Sequence, residues 1–366
     1  MVSDRLKAKR VVLITGAGAS RGLGADKPMP LMPDWAGILS HDIDESNPGI
    51  SEVLGIREGI SGEEFEENLG KFLQWQQSFP LNDRFKRFGG VSIAGAPSPP
   101  VEEWLRNNKT RAAEVGEALQ RSLYSNFGLQ AVDRSKAIEA YRRLDRVLGG
   151  EDTQKICATT NYDPCVEVGF GGFGYRIVDG FDRSQPFQTP VFEPSDLGNW
   201  RKYSPDTLPI LHLHGAVGWY RQRNGSVIYQ PSDQEYNPSL GIPVVLPPDP
   251  LKDPLNDATV ATLWNQLRLA LGGATHVLVL GHSLHDPALV RALGAVPSKV
   301  LVLIATKDPN SIALDLLPSV TRVALEFGAD MAEPSWARAW LEGAWQEESP
   351  GPVETRPTQG AGVEER

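Results

Sequence analysis

Five short runs of branched apolar residues constrain this chain more than any other feature: Val11–Thr15, Lys155–Thr159, Leu208–Leu213, Thr275–Leu280 and Val300–Ala305. Each is bounded by Gly, Pro, Asp or Asn, as a strand should be. A strand wetted on one face alternates polar with apolar residues, and these runs do not alternate strictly. They therefore read as strands covered on both faces, the pattern of a parallel sheet with helical crossovers. Arg322–Phe327 adds a sixth candidate. The expected fold is α/β, a Rossmann-like parallel sheet with helices on both faces.

About 140 residues separate the first two runs, far more than one crossover helix requires. In Glu63–Phe79, residues Phe65, Leu69, Phe72, Leu73, Gln76 and Phe79 fall near helical spacing, and Val101–Tyr124 and Arg134–Leu148 are similarly amphipathic. The expected organisation is a sheet domain made of residues 1–35 and 151–345, with a helical insertion domain at 36–150. Ser92–Pro100 reads as a loop inside the insertion. Phe170–Trp200 and Pro231–Pro254, rich in Pro, Gly and aromatics, read as loops over a site or as oligomer contacts. Residues 346–366 have the composition of a disordered tail.

Charge narrows the function. Thirty-six basic against 46 acidic residues give a net charge of -10, which opposes direct nucleic-acid binding. No apolar run approaches the roughly 20 residues of a membrane span, and the basic start MVSDRLKAKR lacks the apolar stretch of a secretion signal. Cys157 and Cys165 form no CxxC pair and are too few for a four-cysteine zinc site. A reduced, cytoplasmic setting without zinc is expected.

Four segments that follow predicted strands can carry chemistry. Gly16-Ala17-Gly18-Ala19-Ser20 could bring main-chain N–H groups to a pyrophosphate, but Arg21 stands where the dinucleotide fingerprint has its third glycine. The same loop is equally a tight strand-to-helix turn. In Thr159-Thr160-Asn161-Tyr162-Asp163-Pro164, Asn161 could orient water or a ribose and Asp163 could accept from one, or both could serve a turn or helix cap. His212 and His214 of Leu211-His212-Leu213-His214-Gly215 should share one face of a strand. No further ligand cluster completes a metal site around them. Gly281-His282-Ser283-Leu284-His285-Asp286-Pro287 could offer donors to phosphate or ribose, or could simply cap a helix with Asp286 and Pro287. Ser283 lacks the surroundings of a hydrolase nucleophile.

In this order the segments resemble the sirtuin superfamily. Gly16–Ser20 matches its GAGxS phosphate loop, Thr160-Asn161-Tyr162-Asp163 its TxNxD-like segment, and His214-Gly215 its catalytic HG. Gly281–Asp286 matches the G-x-S-L-x-D segment that closes around NAD. The resemblance covers roughly residues 11–35 and 150–330. Two departures stand out: the two CxxC pairs of protein-deacylating sirtuins are missing, and Lys27–Trp35 replaces the usual GIPxFR segment. The long helical insertion and the TTNYD form look like the bacterial sirtuin-like NADases of antiphage defence.

That resemblance implies hydrolysis of NAD to nicotinamide and ADP-ribose. Asn161 would position water or the ribose, His214 would act as base, and Asp163 would hold the nicotinamide or ribose side. Gly16, Ala17, Gly18, Ala19, Ser20, Thr160, Gly281, Ser283, Leu284 and Asp286 would line the phosphate and ribose path. Asp34 and Trp35 would belong to a cofactor loop, and Thr306 would lie near the adenosine ribose. The same pocket could instead serve a non-catalytic NAD or ADP-ribose sensor, a deacylase or an ADP-ribosyltransferase. A toxic NADase would need restraint, so self-assembly into a homo-oligomer is expected, or a partner such as a HerA-type ATPase or helicase or a short Argonaute.

Overall fold

The structure, a computed structural model, describes residues 9–46, 48–62, 64–65, 67–70, 72, 109–183, 189–231, 236–245, 257–306 and 320–324. The five apolar runs correspond, within two residues at either end, to β1 (Lys9–Thr15), β2 (Thr153–Thr159), β4 (Thr207–His212), β8 (His276–Leu280) and β9 (Leu301–Thr306). Arg322 lies in β10 (Val320–Ala324). With β3 (Arg176–Val178) they form one seven-stranded sheet in the order β10-β9-β8-β1-β2-β4-β3. Every pairing in it is parallel.

Neighbouring residues of each strand feed opposite cores, which is why the runs lack polar alternation. On one face Val12, Ile14, Ile156, Ala158 and Leu211 pack with Leu263, Trp264 and Leu267 of α7 (Ala258–Gly273) and Leu289 and Leu293 of α8 (Pro287–Gly294). On the other, Val11, Leu13, Cys157, Leu208 and Ile210 pack with Tyr141 and Leu144 of α5 (Arg134–Val147) and with Cys165 and Phe170 of α6 (Cys165–Gly171). Asp133 and Asp257 start α5 and α7 by accepting from first-turn N–H groups.

Between β1 and β2 the chain builds α1 (Ala17–Ser20), α2 (Met32–Ser46), α3 (Ile50–Val53) and α4 (Lys109–Phe127) before α5. Residues of α2, α3 and α4 join Phe65, Leu69 and Phe72 in a third core, which continues into Tyr162, Val217, Tyr220 and Ile228. Trp35 sits in this core edge-on to Phe65 and Phe127 at 5.5 and 5.3 Å, and its indole N–H donates to Ser122 Oγ at 3.2 Å. Leu73, Gln76, Phe79, Ser92–Pro100 and the tail lie outside the described residues.

The structure departs from the sequence reading in two loop-like stretches. Phe170–Trp200 contains β3. Part of Pro231–Pro254 forms β7 (Ile242–Val245), which joins β5 (Gly215–Arg221) and β6 (Val227–Tyr229) in a small antiparallel sheet ordered β6-β5-β7. Strands of three or four residues give no usable period, and Pro243 within β7 argues against a strand unless, as here, that strand pairs on one side only.

Candidate active site

Parallel register gathers the four segments. Thr15 pairs with Thr159 and with Leu280, Thr159 with His212, and Leu280 with Ala305. The residues that follow therefore leave the same edge of the sheet: Gly16, Thr160, Leu213, Gly281 and Thr306. This is the carboxyl edge, and β1 lies where the chain order reverses, with β2 and β4 to one side and β8 and β9 to the other. Open α/β sheets bind ligands in the crevice at such a point.

The two glycine loops lock together there. Gly16 N donates to Leu280 O, Gly18 N to Gly281 O and Gly281 N to Ala305 O, all at 2.8–2.9 Å. A Cβ on Gly16 would lie 2.8 Å from Gly281 O, and one on Gly281 only 2.2 Å from Ala19 N. The glycines let backbone meet backbone, a packing reason beside the phosphate-approach reason read from sequence. Thr160 donates its N–H and its hydroxyl to Thr15 O at 3.1 and 3.4 Å, tying the next loop to the same strand end.

Asn161, Ser20 and Asp163 form a buried chain. Asn161 Nδ2 donates to Gly16 O at 3.0 Å and to Ser20 Oγ at 2.9 Å. The Ser20 hydroxyl donates in turn to Asp163 Oδ1 at 3.0 Å, which also accepts from Cys165 N at 3.0 Å. Because Gly16 O can only accept, the amide of Asn161 is oriented with its nitrogen inward. Its oxygen accepts nothing among the described residues. Burial pushes the Asp163 carboxyl above its ordinary range, against the lowering effect of its bonds from Cys165 and Ser20.

The two histidines part company. β4 ends at His212, and Gly215, at φ 75°, turns the chain into β5. His212 Nε2 meets Glu167 Oε1 of α6 at 2.5 Å, and its ring lies edge-on to Trp219. His214 Nε2 instead meets Asp286 Oδ2 at 2.9 Å, with the Trp264 ring 6.4 Å away. The expectation that His212 and His214 share a face is thus corrected: the alternation rule needs a continuing strand, and the strand stops between them. Desolvation pulls the His212 pKa down, but the Glu167 carboxylate prevails and holds it above the ordinary value. Trp264, whose indole N–H donates to Leu213 O at 3.0 Å, supports the His214 turn from α7. Nothing in the sequence announced it, since it lies fifty residues on among ordinary core positions.

Asp286 also caps α8, its Oδ1 accepting from Ala288 N and Leu289 N at 2.8 and 3.3 Å. Leu284, at φ 58°, is one of two non-glycine residues with positive φ among the described residues, and its N–H donates to His282 Nδ1 at 2.8 Å. Ser283 is exposed beside it and Thr306 is buried at the end of β9. The structure does not bring Asp34 and Trp35 into one cluster with these groups. Asp34 is exposed and paired with Arg21 Nη1 at 2.5 Å, whereas Trp35 is 2% exposed in the helical core. Partial burial raises the Asp34 pKa, but Arg21 and the Leu31 N–H outweigh it and hold the carboxyl below its ordinary value. No group of three potential metal ligands occurs among the described residues.

An open parallel sheet with interlocked glycine loops, a buried Asn–Ser–Asp chain and a His–Asp pair at its carboxyl edge defines an α/β protein with a candidate site at its strand ends. Residues 155–301 match the family model of the SIR2-like domain, so this stretch is similar to that family. That span holds Asn161, Asp163, His214 and Gly281–Asp286. Among solved structures, a Sir2–p53 peptide–NAD+ assembly is similar at 11% identity and a TM-score of 0.37. A Sir2 enzyme structure concerned with mechanism and regulation is similar at 13% identity and a TM-score of 0.41. Each comparison covers 92% of this chain and 94% of the other. No curated protein matches the sequence.

Proposed function

We propose that the protein is an NAD glycohydrolase that cleaves NAD to nicotinamide and ADP-ribose. The observation that carries this reading is the asymmetry of Asn161 at the carboxyl edge: its amide nitrogen is held by Gly16 and Ser20, while its oxygen accepts no hydrogen bond among the described residues. An oriented acceptor of this kind suits a water or a ribose hydroxyl. Thr15 Oγ1, buried without a partner among the described residues, lies at the same strand end.

In the reaction the bond between ribose C1′ and the nicotinamide nitrogen breaks, and its electron pair leaves with nicotinamide. Water oxygen bonds to C1′, and one proton is released. The developing oxocarbenium character calls for orientation and charge stabilisation more than for a strong nucleophile. Asn161 orients the water or ribose, His214 takes the proton, and Asp163 fixes Ser20 and the first turn of α6. The glycine loops Gly16–Ser20 and Gly281–Asp286 form the phosphate and ribose path. On this reading NAD is substrate, and the biological role is NAD depletion in antiphage defence in the cytoplasm, triggered by self-assembly or by a partner such as a HerA-type ATPase or a short Argonaute.

The test is nicotinamide release by the purified chain over a range of protein concentrations, with and without such partners. Turnover that His214→Ala and Asn161→Ala both abolish is the expected result. Binding of NAD without turnover under every condition would replace the hydrolase by the sensor. Neither binding nor turnover would remove the NAD assignment.

A further inference from the structure

Asp286 has a more specific task than lining a ribose path. Its two carboxylate oxygens are divided: Oδ1 accepts from Ala288 N and Leu289 N, and Oδ2 lies 2.9 Å from His214 Nε2. Pro287 at the first helical position fixes the backbone direction of that cap. The carboxylate cannot rotate away from the histidine without giving up two helix N–H groups. Both side chains are 8% exposed, so water competes poorly for either.

An ionised carboxylate can only accept, and the positive end of α8 favours the ionised form. His214 Nε2 must therefore carry a hydrogen. In a neutral imidazole only one nitrogen does, and the lone pair is left on the other. We infer that Asp286 is a positioning residue that fixes His214 in the Nε2–H tautomer, making Nδ1 the atom that takes up the proton released in NAD cleavage. The inference rests on the proposed hydrolase for its catalytic half, while the tautomer itself is a property of the resting protein.

Two substitutions separate this role from helix capping. Asp286→Asn keeps an N-cap oxygen but can present an amide donor to Nε2, reversing the preferred tautomer; Asp286→Ser keeps a cap and takes the carboxylate acceptor away from Nε2. Nitrogen-15 shifts of the imidazole, read at neutral pH, should show Nε2–H in the wild-type protein and lose that preference in both variants. With turnover, kcat should fall by up to roughly 10⁴-fold in Asp286→Asn, the scale seen when a histidine is held in the wrong tautomer. KM for NAD should change less than about threefold, because the lost interaction acts on the proton transfer rather than on uniform substrate binding.

A wild-type spectrum showing Nδ1–H would overturn the inference whatever the activity. So would a kcat in both variants equal to that of the wild type, or a loss confined to KM. Absence of NAD turnover in the wild type together with the expected nitrogen-15 pattern would sink the hydrolase but leave the tautomer standing, so the two failures are distinguishable.

Discussion

The two ends of the parallel sheet bury polar groups to opposite purposes. At the amino end Lys155, 2% exposed on β2, reaches Asp145 at 3.0 Å, the Tyr175 hydroxyl at 2.9 Å, and the carbonyls of Thr153 and Gly150. Tyr175 closes the ring by donating to Asp145 at 2.7 Å. Charge and hydrogen bonds are met inside the protein. At the carboxyl end Thr15 Oγ1 is buried without a hydrogen-bond partner among the described residues, and Asp163 is pushed toward protonation. A satisfied buried network serves stability; unfilled acceptors at a strand edge are a cost that a ligand can relieve. Cavity size does not make the distinction, since a cavity of about 280 Å³ lined by Arg10, Asn199, Trp200 and Gln266 opens at the amino end, away from all four motifs.

Removing one partner at the amino end should break this contrast most sharply. Lys155→Met leaves Asp145 buried without its cation and should cost about 3–5 kcal/mol, read as a lower denaturant midpoint. NAD binding by the folded fraction should not change. Adding Asp145→Leu should recover most of the loss. If Lys155→Met costs under about 1 kcal/mol, within the range of ordinary surface changes, the cluster is not structural. Next in size is Gly281→Ala at the other end. Its φ of 64° and the 2.2 Å approach to Ala19 N leave no room for a methyl group. A left-handed non-glycine residue costs roughly 1–2 kcal/mol before the clash is counted, and the separated loops should lose NAD binding as well.

That asymmetry was only partly legible in the sequence. The long strands were, because Val11–Ile14 or Val277–Leu280 can be buried on both faces in one way only. The four motifs could be placed at strand ends, and parallel register then makes it unavoidable that Gly16, Thr160 and Gly281 leave the sheet side by side. Side-chain partners were not legible. That Asp286 serves His214, or Glu167 His212, depends on how α8 and α6 sit over the sheet, and residues 72 and 45 positions apart carry no local signal of it. Trp35 shows the same limit from the other side: beside Asp34 in sequence it reads as part of a loop, yet Phe65 and Phe127 claim it for the core.

Asp163 offers a finer test, through pH. A carboxyl whose folded pKa lies above its ordinary 3.8 is bound to its proton more tightly in the folded state. Its contribution is then fully present below that value and is lost as pH rises through the window up to the folded pKa. Asp163→Asn, which can still accept from Cys165 N, should remove this decline. Urea midpoints of wild type and variant, compared between acid and neutral pH, should diverge in favour of the variant as pH rises. A variant that loses stability equally at every pH would mean that the hydrogen bonds, not the buried charge, dominate. Turnover should fall in the same variant, setting site chemistry against stability.

The smallest effect concerns Arg21 and Asp34, whose side chains are 42% and 47% exposed. A pair that open to water contributes about 0.2–1 kcal/mol, and salt near 1 M should screen it away. Asp34 is held below its ordinary pKa, so its contribution is present above that ordinary value and is lost as pH falls through the lowered one. Arg21→Ala should therefore shift the denaturation midpoint slightly at neutral pH and low salt, and not at all once Asp34 is protonated. Its value lies in what it does to NAD. A surface clip between the turn after β1 and α2 would leave NAD affinity and turnover within experimental scatter. A loss of affinity much larger than the loss of stability would instead place Asp34 in the ligand-binding loop, and would extend the unfilled end of the sheet onto the start of the helical region.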